Sequence, residues 1–79
     1  MIVRKNYYGN LECTFGSTGR DGGDGSETFI NLKAIQCFNW KVEQHEDSVK
    51  ITVYGDQEFS KFIEALNYAT NKLIDIYSI

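Results

Sequence analysis

Hydrophobic and polar positions alternate through much of the first 54 residues, then switch to a three-to-four spacing. A period of two marks a strand with one buried face, and a period near 3.6 marks a helix. Residues 2–8 and 11–15 predict two short strands joined at Gly9-Asn10, where glycine supplies the positive φ of a two-residue hairpin turn. Residues 27–32 predict a third strand. Residues 35–44 predict a fourth, with Phe38, Trp40 and Val42 alternating with Asn39, Lys41 and Glu43. Ile35 and Cys37 hold the opposite parity, so the in/out phase slips at Cys37-Phe38. A β-bulge there, or burial on both sides, would reconcile the two phases. His45-Glu46-Asp47-Ser48 reads as a polar turn, and residues 49–54 as a fifth strand with one apolar face.

Beyond Gly55, Phe59, Phe62, Ile63, Leu66, Ala69, Leu73, Ile74 and Tyr77 form a helical stripe, with Lys61, Glu64, Asn67, Asn71, Lys72 and Asp75 opposite. The pattern predicts a helix over 57–77 with Asp56 as its N-cap. Together these elements predict a single α+β domain over 1–79. It is a small two-layer structure, a curved antiparallel sheet of about five strands packed by one long C-terminal helix. Such a sheet is roughly 20 Å wide, whereas the helix runs roughly 30 Å. The last turns, around Ile74, Ile76, Tyr77 and Ile79, are therefore expected to overhang and to favour a homodimer through the C-terminal helix.

Between the second and third strands lies a loop over 16–26 holding five of the seven glycines. Nothing in it invites packing, and glycine adds backbone freedom, so a flexible loop is expected. As a phosphate cradle it lacks the lysine and Ser/Thr of the P-loop pattern, and no helix follows. As an EF-hand it puts Arg20 and Gly22 where acidic ligands belong. Gly22-Gly23-Asp24-Gly25-Ser26-Glu27 approximates one copy of a β-roll calcium repeat, a fold that requires stacked copies. Asp21, Asp24 and Glu27 could gather only a weak calcium site. No metal and no cofactor is expected.

The chain has 79 residues, no proline, 42% hydrophobic residues and a net charge of −3. That composition fits a folded core. Its basic residues are scattered singly apart from Arg4-Lys5, which disfavours direct nucleic-acid binding. Phe38-Asn39-Trp40-Lys41 comes nearest to a base-stacking platform, but Trp40 sits in the apolar alternation and reads as core. No apolar run is long enough to span a bilayer, and no apolar stretch follows the charges of Arg4-Lys5, so a cytoplasmic protein without a leader is expected. Cys13 and Cys37 read as two free, buried thiols.

Catalysis has little to stand on. His45, the only histidine, sits at a polar hairpin tip, and the carboxylate pairs Glu46-Asp47 and Asp21 with Asp24 lie at loop tips rather than across a cleft. No catalytic residue is assigned. The acidic balance suits a basic protein surface, reached by Arg20, Asp21, Asp24 and Glu27 on the loop and Glu43, Glu46 and Asp47 on the hairpin. Tyr7 and Tyr8 point to opposite faces of one strand, which leaves Tyr7 as an aromatic contact beside Arg4 and Lys5. Isoleucine, asparagine, lysine and tyrosine make 25 of 79 residues, a bias toward AT-rich codons. The sequence thus suggests a non-catalytic interaction module, in its sharpest form a phage or mobile-element inhibitor of a host defence nuclease complex. A small-ligand or nucleotide-binding domain using loop 16–26 is the alternative.

Overall fold

A computed structural model of the chain describes residues 1–78, apart from the surroundings of Asp21 and Gly22. β1 (Ile2–Tyr8) and β2 (Leu11–Ser17) form an antiparallel hairpin from Ile2↔Ser17 to Tyr8↔Leu11. Its turn has Gly9 at φ +60°, the conformation for which glycine is selected. β3 (Thr28–Ala34) pairs with the other edge of β2, from Leu11↔Ala34 to Ser17↔Thr28. β4 (Trp40–Gln44) and β5 (Val49–Val53) pair only with each other, from Trp40↔Val53 to Gln44↔Val49.

The five strands thus form a three-stranded sheet, order β1-β2-β3, and a separate two-stranded sheet rather than one continuous sheet. The cause lies at the parity slip. Strand pairing stops at Ala34, and residues 35–39 cross over instead of bulging. The Ile35 N–H donates to the Asn10 carbonyl at 2.9 Å, and Asn10 Nδ2 donates to the Cys37 carbonyl at 2.8 Å. These bonds hold the crossing segment against the β1–β2 turn, so Phe38 enters the core while Cys37 faces solvent. Cys13 alone is the buried thiol that the sequence suggested for both.

α1 (Asp56–Tyr77) runs 22 residues, about 33 Å at 1.5 Å per residue. Gly55, at φ +103°, takes the cap position, so Asp56 begins the helix instead of capping it. Asp56 and Glu58 in the first turn still meet the positive end of the helix dipole. The core forms where Leu11, Cys13 and Phe15, alternate residues of β2, meet Ala65, Ala69, Leu73 and Ile76 of α1, with Phe38 beside them. Two alanines in the contact strip let the helix axis approach the sheet closely. Phe15 sets its ring edge against Tyr68, with centroids 6.1 Å apart, and Phe38 does the same against Trp40 at 5.3 Å. Tyr8, Leu32, Ala34, Trp40 and Val53 pack around this centre.

The helix is rotated from the orientation its large apolar residues predicted. Phe59, Ile63, Ile74 and Tyr77 are exposed, while Ala65 and Ile76 are buried. Small alanines mark the closest approach, so the contact strip runs through them and not through the bulkiest side chains. Ile76 does not overhang, because loop residues beside it close that end. Its carbonyl lies 3.5 Å from where a Cβ on Gly19 would stand. Ile79, expected in the same overhang, lies outside the described residues.

The glycine-rich stretch is more structured than its composition suggests. β2 extends through Gly16 and Ser17, and Arg20–Gly25 forms 3-10 turns broken by a kink at Gly23, whose φ is +55°. Gly16, Ser17 and Gly19 are buried. Ser17 Oγ accepts from the Gly19 N–H and shares a hydrogen bond with Thr28 Oγ1, each at 2.9 Å. No helix among the described residues is long and apolar enough to cross a membrane.

Candidate functional site

The sequence-derived contact residues occupy three separate places. Arg20, Asp24 and Glu27 belong to the connection between β2 and β3, and all three are exposed. Asp21 is in the same 3-10 segment, with its side chain outside the described residues. The segment is held at its base, where the Thr18 N–H donates to the Glu27 carbonyl at 3.0 Å and the Glu27 N–H donates to Thr18 Oγ1 at 2.9 Å. Farther in, the Ser26 N–H donates to the Gly23 carbonyl. The amides of Thr18, Gly19, Ser26 and Glu27 are therefore already engaged, which reduces what the loop can offer a phosphate.

Glu46 and Asp47 occupy the β4–β5 turn and are exposed, as is His45. The turn is closed by the His45 N–H donating to the Ser48 carbonyl at 2.8 Å. Glu43 differs from them. It lies within β4, half-buried, with its carboxylate 2.7 Å from Lys41 Nζ and Lys50 directly across the ladder. Two lysines beside it offset its charge. Tyr7 is on the face of the three-stranded sheet turned away from α1, and it is well exposed. Tyr8, one residue on, turns inward and joins the edge of the core, as alternation requires.

Among the depressions on the surface, two stand out. One, of about 120 Å³, is lined by Met1, Ile2, Ser17, Thr18, Gly19, Arg20 and Ile76. It is well below the roughly 300 Å³ at which small-molecule pockets usually begin. The other, wide open and about 380 Å³, is lined by Cys37, Phe38, Asn39 and Glu58. Glu58 Oε2 accepts from the Asn39 N–H at 3.4 Å. A thiol becomes a useful nucleophile beside cationic groups, whereas the charged group in this lining is a carboxylate. Among the described residues, no group of three or more His, Cys, Asp or Glu is placed to hold a metal ion.

The largest feature that the apolar stripe only partly anticipates is the row of exposed apolar side chains on α1, where Ile74 and Tyr77 are exposed as the overhang predicts and Phe59 and Ile63 are exposed against it. Its signal was present in the width of the apolar arc. Adding Ala65 and Ile76 to the expected stripe makes that arc too broad for one narrow sheet to cover. Comparison with family models, with curated proteins and with solved structures finds no match to this chain.

Proposed function

We propose that the chain is a non-catalytic acidic interaction module that docks on a basic protein surface. The observation that carries this reading is the set of exposed carboxylates Asp24, Glu27, Glu46 and Asp47. Among the described residues, the ion pairs engage Glu12 and Glu43 and none of these four. Unneutralised carboxylates on tightly hydrogen-bonded turns are displayed with little conformational freedom left to lose on binding. They also speed encounter with a cationic surface in a salt-dependent way. The narrowest form of the reading takes that surface to be the nucleic-acid groove of a host defence nuclease. It rests on charge match and AT-rich composition rather than on any feature of the fold.

The test compares the wild type with two double reversals, Asp24→Lys with Glu27→Lys and Glu46→Lys with Asp47→Lys. All four side chains are exposed, so far-UV circular dichroism and the melting midpoint should be unchanged. Co-purification of a basic protein from source-cell extract at physiological salt should be lost in at least one reversal. Equal recovery with wild type and both reversals would exclude the acidic turns as the contact. The alternative of a nucleotide or other small ligand on loop 16–26 has no observation in its favour, given the engaged amides and the small cavity beside Arg20. A multi-degree melting shift with one nucleotide would reverse that ranking.

A further inference from the structure

α1 carries more apolar surface than the two sheets cover. At about 100° per residue, buried Ala65, Ala69, Leu73 and Ile76 form one strip of the helix. Phe59, Ile63, Leu66, Thr70, Ile74 and Tyr77 form a second, centred roughly 100° farther round. Most of this second strip is open to solvent, with Phe59 58% exposed, Ile74 64% and Tyr77 44%, while Leu66 at its centre is half-buried. From Gln57 onward every charged side chain of the helix (Glu58, Lys61, Glu64, Lys72 and Asp75) lies more than roughly 100° from its centre. Ser60, Asn67 and Asn71 border it on one side. An uncharged apolar centre with a neutral polar rim is the composition of a protein contact surface.

The order of residues along the strip narrows the choice of partner. Read from either end it runs aromatic, isoleucine, one of the central pair Leu66 and Thr70, isoleucine, aromatic. A two-fold axis near residue 68 would set Phe59 against Tyr77 of a second copy, Ile63 against Ile74, and Leu66 against Thr70. A two-fold interface uses one patch twice, so the patch must complement its own reversed image, as this one does. We infer that this face binds a second copy of the chain as an antiparallel helix pair, making a homodimer whose seam runs from Phe59 to Tyr77.

The surface area agrees in magnitude. The chain exposes 5604 Å², where a compact 9.0 kDa monomer exposes about 4,900 Å². The excess, roughly 700 Å², belongs to the whole chain, with exposed Val3, Tyr7, Val42 and Val49 of the sheets included. It is comparable with the about 800 Å² that each partner contributes to a standard interface. The Cα radius of gyration points the same way, at 13.8 Å against about 12 Å for a compact chain of this length. The inference is independent of the acidic turns, which lie outside the helix.

Size-exclusion chromatography with light scattering should give twice 9.0 kDa for the wild type at high protein concentration. Ile74→Lys, at the most exposed large apolar side chain of the strip, should give the monomer mass with an unchanged circular dichroism spectrum. A wild type that stays monomeric throughout the soluble range, or a folded Ile74→Lys protein that still dimerises, overturns the proposal. Orientation is read by oxidative cross-linking in a Cys37→Ser background. Mixing Ile63→Cys with Ile74→Cys protein should give a cross-linked heterodimer. Ile63→Cys alone should not cross-link, because an antiparallel pair separates the two copies of residue 63 by about 16 Å along the axis. Self-cross-linking of Ile63→Cys would show a parallel pair and overturn the two-fold register.

Discussion

Cys13 and Cys37 carry the same thiol in opposite surroundings. Cys13 lies between Leu11 and Phe15 on the buried face of β2, and burial pushes its thiol pKa above the usual value. Burial does the same to the Tyr8 phenol, reinforced by the negative charges that Cys13, Tyr68 and Glu64 would bear. Both groups hold their protons more tightly in the folded chain than in the unfolded one. Their contribution to stability is therefore intact below the unfolded thiol pKa of about 8.5, and it is lost as pH rises through the folded values. The urea midpoint should be level from neutrality to about pH 8.5 and fall above it, with Cys13→Ala removing part of the slope. A midpoint that climbs over the same range would contradict the assignment. Exposed Cys37 should meanwhile react with a thiol reagent in the native protein, and Cys13 only as the fold opens.

The β4–β5 hairpin is the least anchored element. It shares no ladder with β1–β3, and its link to the core runs through Trp40, Val53 and the neighbouring Phe38. At its far end Val42 and Val49 are largely exposed. Elements held by so few apolar contacts open locally well below the global unfolding free energy. Trp40→Ala should cost roughly 2 kcal/mol and release the hairpin first. By hydrogen exchange its amides should lose protection while those of β2 and α1 keep theirs, whereas uniform loss would show one cooperative unit. This weakness also explains what could be read from the chain. Alternation located four strands closely and the fourth only from Trp40 onward, five residues later than expected, and apolar periodicity located α1 to within a residue at its start. A parity slip at Cys37-Phe38 signalled a defect, but whether a slip becomes a bulge or a crossover depends on Asn10, which is distant in sequence. The rotation of α1 was hidden for a related reason. Close packing at Ala65 and Ala69 is a property of the facing sheet, not of their own hydrophobicity. The exposure of Asp24, Glu27, Glu46, Asp47 and Tyr7, the residues proposed for contact, was legible because turn chemistry and strand parity are local. The ion pair that withdraws Glu43 follows from the same parity, since Lys41 stands two residues away on the same face of β4.

Across the whole molecule, β2 is the one strand of the five with a neighbour on both sides. β1, β3, β4 and β5 each present a row of backbone donors and acceptors along an open edge. Arg4, Lys5, Lys33, Lys41 and Lys50 lie on these strands, and a net charge of −3 adds general repulsion between copies. That protection fades as carboxylates take up protons, and near the sequence pI of 4.9 it vanishes. Turbidity and thioflavin fluorescence should then rise steeply between pH 6 and the pI, while a solution that stays clear there would mean the edges are sterically blocked. Strand-on-strand stacking into filaments is thus the fold's inherent hazard, and the surplus of acid groups opposes it above the pI.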